Sequence, residues 1–224
     1  MSVDLDFQVE GAEPQRFAVA PHLLFKLRVI DRGASGAEIE SVALQCQIRI
    51  EPTRRSYHNG EKDRLFELFG KPADWGHTVR SMLWTHASVN VRRFTGETLV
   101  DLPVPCSYDF NVAATRYFAG LEEGEVPLCL LFSGSVFYQT ADRGLQIAPI
   151  SWERESAYRL PVRSWQAMMD GYYPNSVWVC LRRDMFEQID QRKRRLAMAT
   201  WEKSLESLLA ANPASDRSDH QDEG

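Results

Sequence analysis

Apolar and polar residues alternate through most of the first 160 positions, the period of a strand with one face buried. Val3, Leu5, Phe7 and Val9 alternate with Asp4, Asp6 and Gln8, and Leu23, Phe25, Leu27 and Val29 share a face opposite Lys26 and Arg28. A third run sets Val42, Leu44, Cys46, Ile48 and Ile50 against Glu40, Gln45, Gln47 and Arg49. Gly33, Ser35 and Gly36 stand between the second and third runs. They predict a hairpin turn, and with it an antiparallel pair. Residues 79–94 alternate again, with Leu83, Ala87, Val89 and Val91 expected inward and Trp84, His86 and Asn90 outward. Pro103 and Pro105 interrupt the chain as edge or loop positions do. Tyr108, Phe110, Val112 and Ala114 then alternate, residues 126–138 are almost wholly apolar, and residues 145–158 give the last candidate strand. The fold class is therefore α+β, mainly β. An antiparallel β-sandwich or twisted sheet of about seven strands is expected over residues 1–160.

Two stretches carry helical spacing instead. Residues 61–69 space Leu65, Phe66, Leu68 and Phe69 as a short amphipathic helix ended by Gly70. From residue 161 to 211 the chain predicts two C-terminal helices packed on the β domain or projecting from it. Pro161 fits a first helical position, Trp165, Met168 and Met169 stand three and four apart, and Gly171 closes the first helix. Asn175 or Ser176 caps the second, where Trp178, Leu181, Met185 and Ile189, then Leu196, Trp201, Leu205 and Leu208, keep the spacing. Neither proline nor glycine interrupts residues 177–211. A continuous helix of that length would reach about 50 Å. Part of it is expected to project or to pair with a second copy.

Composition narrows the class without naming an activity. The 224 residues are 44% apolar and 25% charged, too apolar for a disordered chain. No run approaches the roughly 20 apolar residues of a membrane span. The first residues carry acids where a signal peptide needs bases, so a cytoplasmic protein is expected. The last thirteen residues hold Asp216, Asp219, Asp222 and Glu223 against Arg217, and residues 212–224 are expected to be a disordered acidic tail. That tail accounts for −3 of the net charge of −5, so the body is nearly neutral. A neutral body argues against nucleic acid as partner.

The candidate chemistry is sparse. Cys46, Cys106, Cys129 and Cys180 form neither a C-x-x-C pair nor a ligand cluster. Three lie in apolar runs and are expected buried, with Cys106 the one expected at the surface. There is no nucleophile elbow and no glycine-rich phosphate loop, and none of the five histidines is paired at i, i+4. Catalytic residues, metal ligands and cofactors are accordingly expected to be absent. One alternative is a metal-handling protein or enzyme whose site gathers His58, His86 and acids such as Asp109 from distant segments. Partner binding is the leading expectation. Trp165, Met168, Met169, Tyr172 and Tyr173 make an adaptable apolar cluster. Trp178 extends it, and Arg192, Arg194 and Arg195 give the last helix a basic band, with acids interspersed.

Three segments also resemble a known family. They are Leu44-Gln-Cys-Gln-Ile-Arg-Ile-Glu-Pro-Thr-Arg-Arg-Ser-Tyr57, Leu83-Trp-Thr-His-Ala-Ser-Val-Asn-Val91, and residues 151–175. Together they resemble a bacterial family of unknown function whose genes tend to stand beside those of uptake nickel–iron hydrogenases. The resemblance covers the chain up to the tail and implies a hydrogenase accessory or assembly role, with a hydrogenase subunit or maturation factor as partner. A looser likeness is to export chaperones of the SecB type. In those, antiparallel strands run into a helix, a turn like Gly171-Tyr-Tyr-Pro-Asn175 and a long helix, although extra strands precede that portion here. A third possibility is a module that associates with itself through the final helix.

Overall fold

The computed structural model describes residues 3–33, 38–107, 112–140, 144–176 and 179–211. The expected acidic tail and Trp178 lie outside them. Eight strands run through the described residues: β1 (Leu5–Pro14), β2 (His22–Asp31), β3 (Glu38–Ile50), β4 (Met82–Val91), β5 (Glu97–Pro105), β6 (Glu125–Thr140), β7 (Gly144–Pro149) and β8 (Glu155–Pro161). They make two antiparallel sheets, one ordered β1-β2-β5 and one ordered β4-β3-β6-β7, with β8 also on β6. The chain is thus mainly β with helices at its C-terminal end, as alternation predicts. One face of each sheet is dry. Leu23, Phe25, Leu27 and Val29 of β2 are buried, as are Val42, Leu44, Cys46, Ile48 and Ile50 of β3. Rings join the two faces: Phe7 stacks on Phe132 with centroids 4.4 Å apart, and Phe25 meets Trp84 at 6.2 Å. Each such ring contributes about 1.5–3 kcal/mol by leaving water.

Strand partners depart from the sequence reading. The second and third runs do not pair: β2 lies between β1 and β5, and β3 lies between β4 and β6. Alternation reports the buried face of a strand, whereas its neighbours are selected by what stands opposite on the wet face. There Lys26 bonds Glu13 of β1 and Asp101 of β5, and Arg28 bonds Glu10 and Glu97. Cross-strand pairs of opposite charge favour this order. The proline-bearing segment is β5, an edge strand, which tolerates Pro103 and Pro105. The inward set of β4 also shifts. A bulge pairs Ile48 with Thr85 and Arg49 with Leu83, so the intervening Trp84 is buried and Leu83 is exposed. The last run is two strands, β7 and β8, which share one edge of the 16-residue β6.

Short helices α1 (Asn59–Arg64), α2 (Phe66–Phe69) and α3 (Trp75–Thr78) follow β3, and Gly70 ends α2 with φ 72°. Helix α4 (Val112–Ala119) replaces the strand expected at 108–114. Residues 108–111 lie outside the described residues. Ala114, Tyr117, Phe118 and Leu121 are all buried, and their spacing of three, four and seven is helical. Helix α5 (Val162–Tyr172) begins after Pro161, runs through Gly171 and packs with the strands.

The chain divides into two compact units, residues 1–176 and 177–224, so α5 belongs with the β unit. The second unit holds α6 (Arg183–Arg195) and α7 (Trp201–Ala211). The continuous helix that the spacing over 177–211 would allow is therefore not formed. Helix α6 starts only at Arg183, and the chain reverses after Leu196 without glycine or proline. Ala197 takes φ 49° while Met198 N–H bonds Lys193 O at 3.0 Å and Ala197 N–H bonds Arg194 O at 3.1 Å, the glycine-type helix stop carried by an alanine. Thr200 Oγ1 then accepts from Lys203 N–H at 3.3 Å and caps α7. The A197G variant is expected to stabilise this unit by roughly 0.5–1 kcal/mol, read as slower hydrogen exchange in α6 and α7. Faster exchange would contradict this account of the break.

Candidate functional site

Helix α5 turns its apolar stripe inward. Trp165, Met168 and Met169 are buried, and Trp165 stacks on Phe118 at 5.2 Å with the planes 12° apart. The groove expected at these three residues is instead core, because an amphipathic helix over an open sheet end buries its greasiest stripe. Tyr172 and Tyr173 are half-buried. The Tyr172 hydroxyl lies within bonding distance of the carbonyls of Ala18, 2.9 Å, and Gln15, 3.3 Å. It thereby clamps the β1–β2 loop, whose Phe17 (φ 59°) and Val19 are fully exposed. The basic residues belong to the second unit. Arg192 bonds Ser207 Oγ at 3.1 Å, Arg194 bonds Asp190 at 2.7 Å, and Arg195 is exposed. The expected partner surface is thus spread over two units rather than gathered by one.

Residues 52–57, the end of the first stretch that carries the resemblance, build a polar knot with His58 and Glu61. Glu61 is fully buried, and its oxygens accept from Arg55 Nη2 at 2.8 and 3.1 Å, from Glu122 N–H at 3.0 Å and from His58 N–H at 3.1 Å. Arg55 also donates to Glu123 O and lies 4.9 Å over the Tyr57 ring. Burial by itself pushes the Glu61 carboxyl up. The Glu122 and His58 N–H groups and the Arg55 guanidinium outweigh that and hold it below its ordinary value. The Tyr57 hydroxyl donates to Pro52 O at 2.8 Å and meets the Tyr117 hydroxyl at 2.8 Å. Burial pushes Tyr117 up to about 12. Beside the knot, Pro52, Tyr57, Phe69, Trp75 and Val79 line a pocket of about 170 Å³. Trp75 Nε1 donates to Gly70 O at 3.0 Å, so the rings turn their polar atoms away. The pocket offers one side chain apolar walls.

The histidines stay apart. His58 heads α1, its ring 3.4 Å from Glu123, whereas His86 sits exposed on β4 opposite Gln47. Asp109 lies outside the described residues, and among the described ones no three His, Cys, Asp or Glu converge as metal ligands. The thiol expectations reverse in two places: Cys106 is buried, donating to Val104 O, and Cys180 is exposed. Cys180 lies in the described stretch just before α6, and burial pushes Cys46 and Cys106 up to about 12. No described helix is long and apolar enough to cross a membrane.

Exposed apolar anchors lie elsewhere, on the edge of the five-stranded sheet. Leu145 and Ile147 of β7 are 59% and 65% exposed, and Trp152, in the turn to β8, is 84% exposed. Ile147 pairs with Phe137 across the strands, and Pro149 shares its face. The residues of β7 carry no charge, in contrast with the ion-paired wet face of the three-stranded sheet. Sequence alternation hinted at the strand but not at which of its faces is bare. A family model, for a family of unknown function, matches residues 2–217. Comparison with curated proteins gives no match.

Proposed function

The chain belongs to the DUF6084 family, whose function is unknown, and on its geometry we propose a non-enzymatic assembly factor that holds another protein. The observation that carries this reading is the bare apolar set on β7 and its turn, Leu145, Ile147 and Trp152. Large exposed apolar side chains, tryptophan above all, are the anchors that dominate protein interfaces. The titratable groups support the same reading, since the knot around Glu61 spends its donors and acceptors internally. We assign the partner to hydrogenase subunits or maturation factors, in the cytoplasm. That step rests on the resemblance of residues 44–57, 83–91 and 151–175. The order of strands, helix and Tyr-Tyr-Pro-Asn turn is also similar to that of SecB-type chaperones, with α6 and α7 in place of the long helix that follows there.

Affinity capture from the native cell tests the reading, with the wild-type chain beside Ile147→Asp and Trp152→Ala. A hydrogenase subunit or maturation factor is expected with the wild type and at least about tenfold less of it with either variant. Far-UV circular dichroism should stay unchanged, because both side chains face solvent. Undiminished capture by both variants would reject the proposed surface.

A further inference from the structure

Residues 179–211 form a unit too short to bury its own apolar side chains. Phe186 packs on Trp201 with ring centroids 5.1 Å apart, Lys193 caps the Trp201 ring at 5.4 Å, and Ser204 is fully buried. Beyond that contact, Met185 on α6, Leu196 at the cap that follows it, and Leu205 and Leu209 on α7 are exposed. A helix pair of this size has too little interior to hold itself together, and such pairs are completed by association.

Charge selects what covers it. The first eight residues of α6, Arg183–Asp190, carry a net −2, and its last five, Gln191–Arg195, carry a net +4. Each end suits the dipole of its own helix. It also suits the opposite end of an identical helix running the other way. An anionic membrane would call for one sign across the face, whereas the described residues of this unit hold seven bases and five acids. We propose that the chain forms a two-fold dimer through this unit, with α6 antiparallel to α6 of a second copy and the exposed leucines of α7 closing a four-helix core. An isologous pairing of this kind buries the same patch twice. It uses none of the β7 residues, so it stands or falls apart from the binding reading above.

Sedimentation equilibrium of the full chain at about 10 μM tests the dimer. A mass twice 25.6 kDa is expected for the wild type. Two charge variants decide the geometry: Asp184→Arg with Glu187→Arg brings the first eight residues of α6 to a net +2, and Arg194→Glu with Arg195→Glu brings its last five to neutral. Each alone should dimerise more weakly, whereas an equimolar mixture of the two should form a heterodimer about tenfold tighter than either variant's own dimer, because one of its ends again sets the +4 segment against the −2 segment. A monomeric wild type, whether free or bound to phosphatidylserine vesicles, would overturn the proposal. So would a mixture that associates no better than either variant alone. Loss of partner capture with an intact dimer would concern β7 only.

Discussion

Glu61→Ala is expected to lower stability by about 3–5 kcal/mol, seen as a lower urea midpoint with little change in the native far-UV spectrum. The Glu61 side chain is wholly inaccessible and that of Arg55 is 6% exposed, so neither charge has water to fall back on. Removing the carboxylate leaves the guanidinium buried without its counter-charge. It also strips the N–H groups of His58 and Glu122 of their acceptor, each a separate desolvation cost. Glu61→Gln should recover little, since its amide nitrogen would face the Arg55 donors. The double variant Arg55→Met/Glu61→Leu should cost clearly less than the summed single losses, because it removes both charges together. Additive losses would show that the pair is not coupled.

The same carboxyl sets a pH dependence. Its folded pKa lies below the ordinary carboxylate value. The fold therefore favours the ionised form, and that stabilisation is fully present above the unfolded pKa of about 4.3. It fades as pH falls through the depressed folded value. Wild-type stability should thus drop more steeply below about pH 4 than that of Glu61→Gln, which has no carboxyl to protonate there. Parallel acid limbs would remove Glu61 from the account.

Much of the sandwich was legible because a period of two is a local property. Phe25 and Leu27 announce a buried face whatever lies beside them. Neighbours were not legible: β2 and β3 looked like a hairpin, yet ion pairs such as Lys26–Asp101 join residues 75 apart. The helical spacing of Ala114, Tyr117 and Phe118 was present, but the preceding alternation of Tyr108 and Phe110 masked it. The break at Ala197 had only one local sign, the capping Thr200, since alanine rarely takes a positive φ. The Glu61 knot was half visible. Glu61 stands three after His58, the spacing of a capping box, whereas Glu122 reaches it from 61 residues away. Exposure of Trp152 had no sequence sign at all, because large apolar residues are the ones normally expected inside.

Gly134→Ala should be the most damaging single substitution in the sheet. Gly134 adopts φ 136°, a region that side chains avoid, and a Cβ there would fall well inside contact distance of the Ala43 carbonyl on β3. That obstacle is backbone in the centre of the five-stranded sheet, where Gly134 stands opposite Leu44, so it has no rotamer by which to yield. The position is also the changeover on β6, between the β8 pairing that ends at Leu131 and the β7 pairing that starts at Ser135. Separating β3 from β6 would therefore disturb both edge strands and the exposed set on β7. A loss of at least about 4 kcal/mol is expected, against total stabilities of about 5–15 kcal/mol, with little soluble protein recovered. Gly120→Ala is the matched comparison. Its Cβ would meet the Leu65 side chain at 2.8 Å, a flexible group that can turn aside, so the cost should stay nearer 1–3 kcal/mol. Equal urea midpoints for the two variants would mean that the β3–β6 contact at Gly134 has slack, and the register of the central pair would then have to be redrawn.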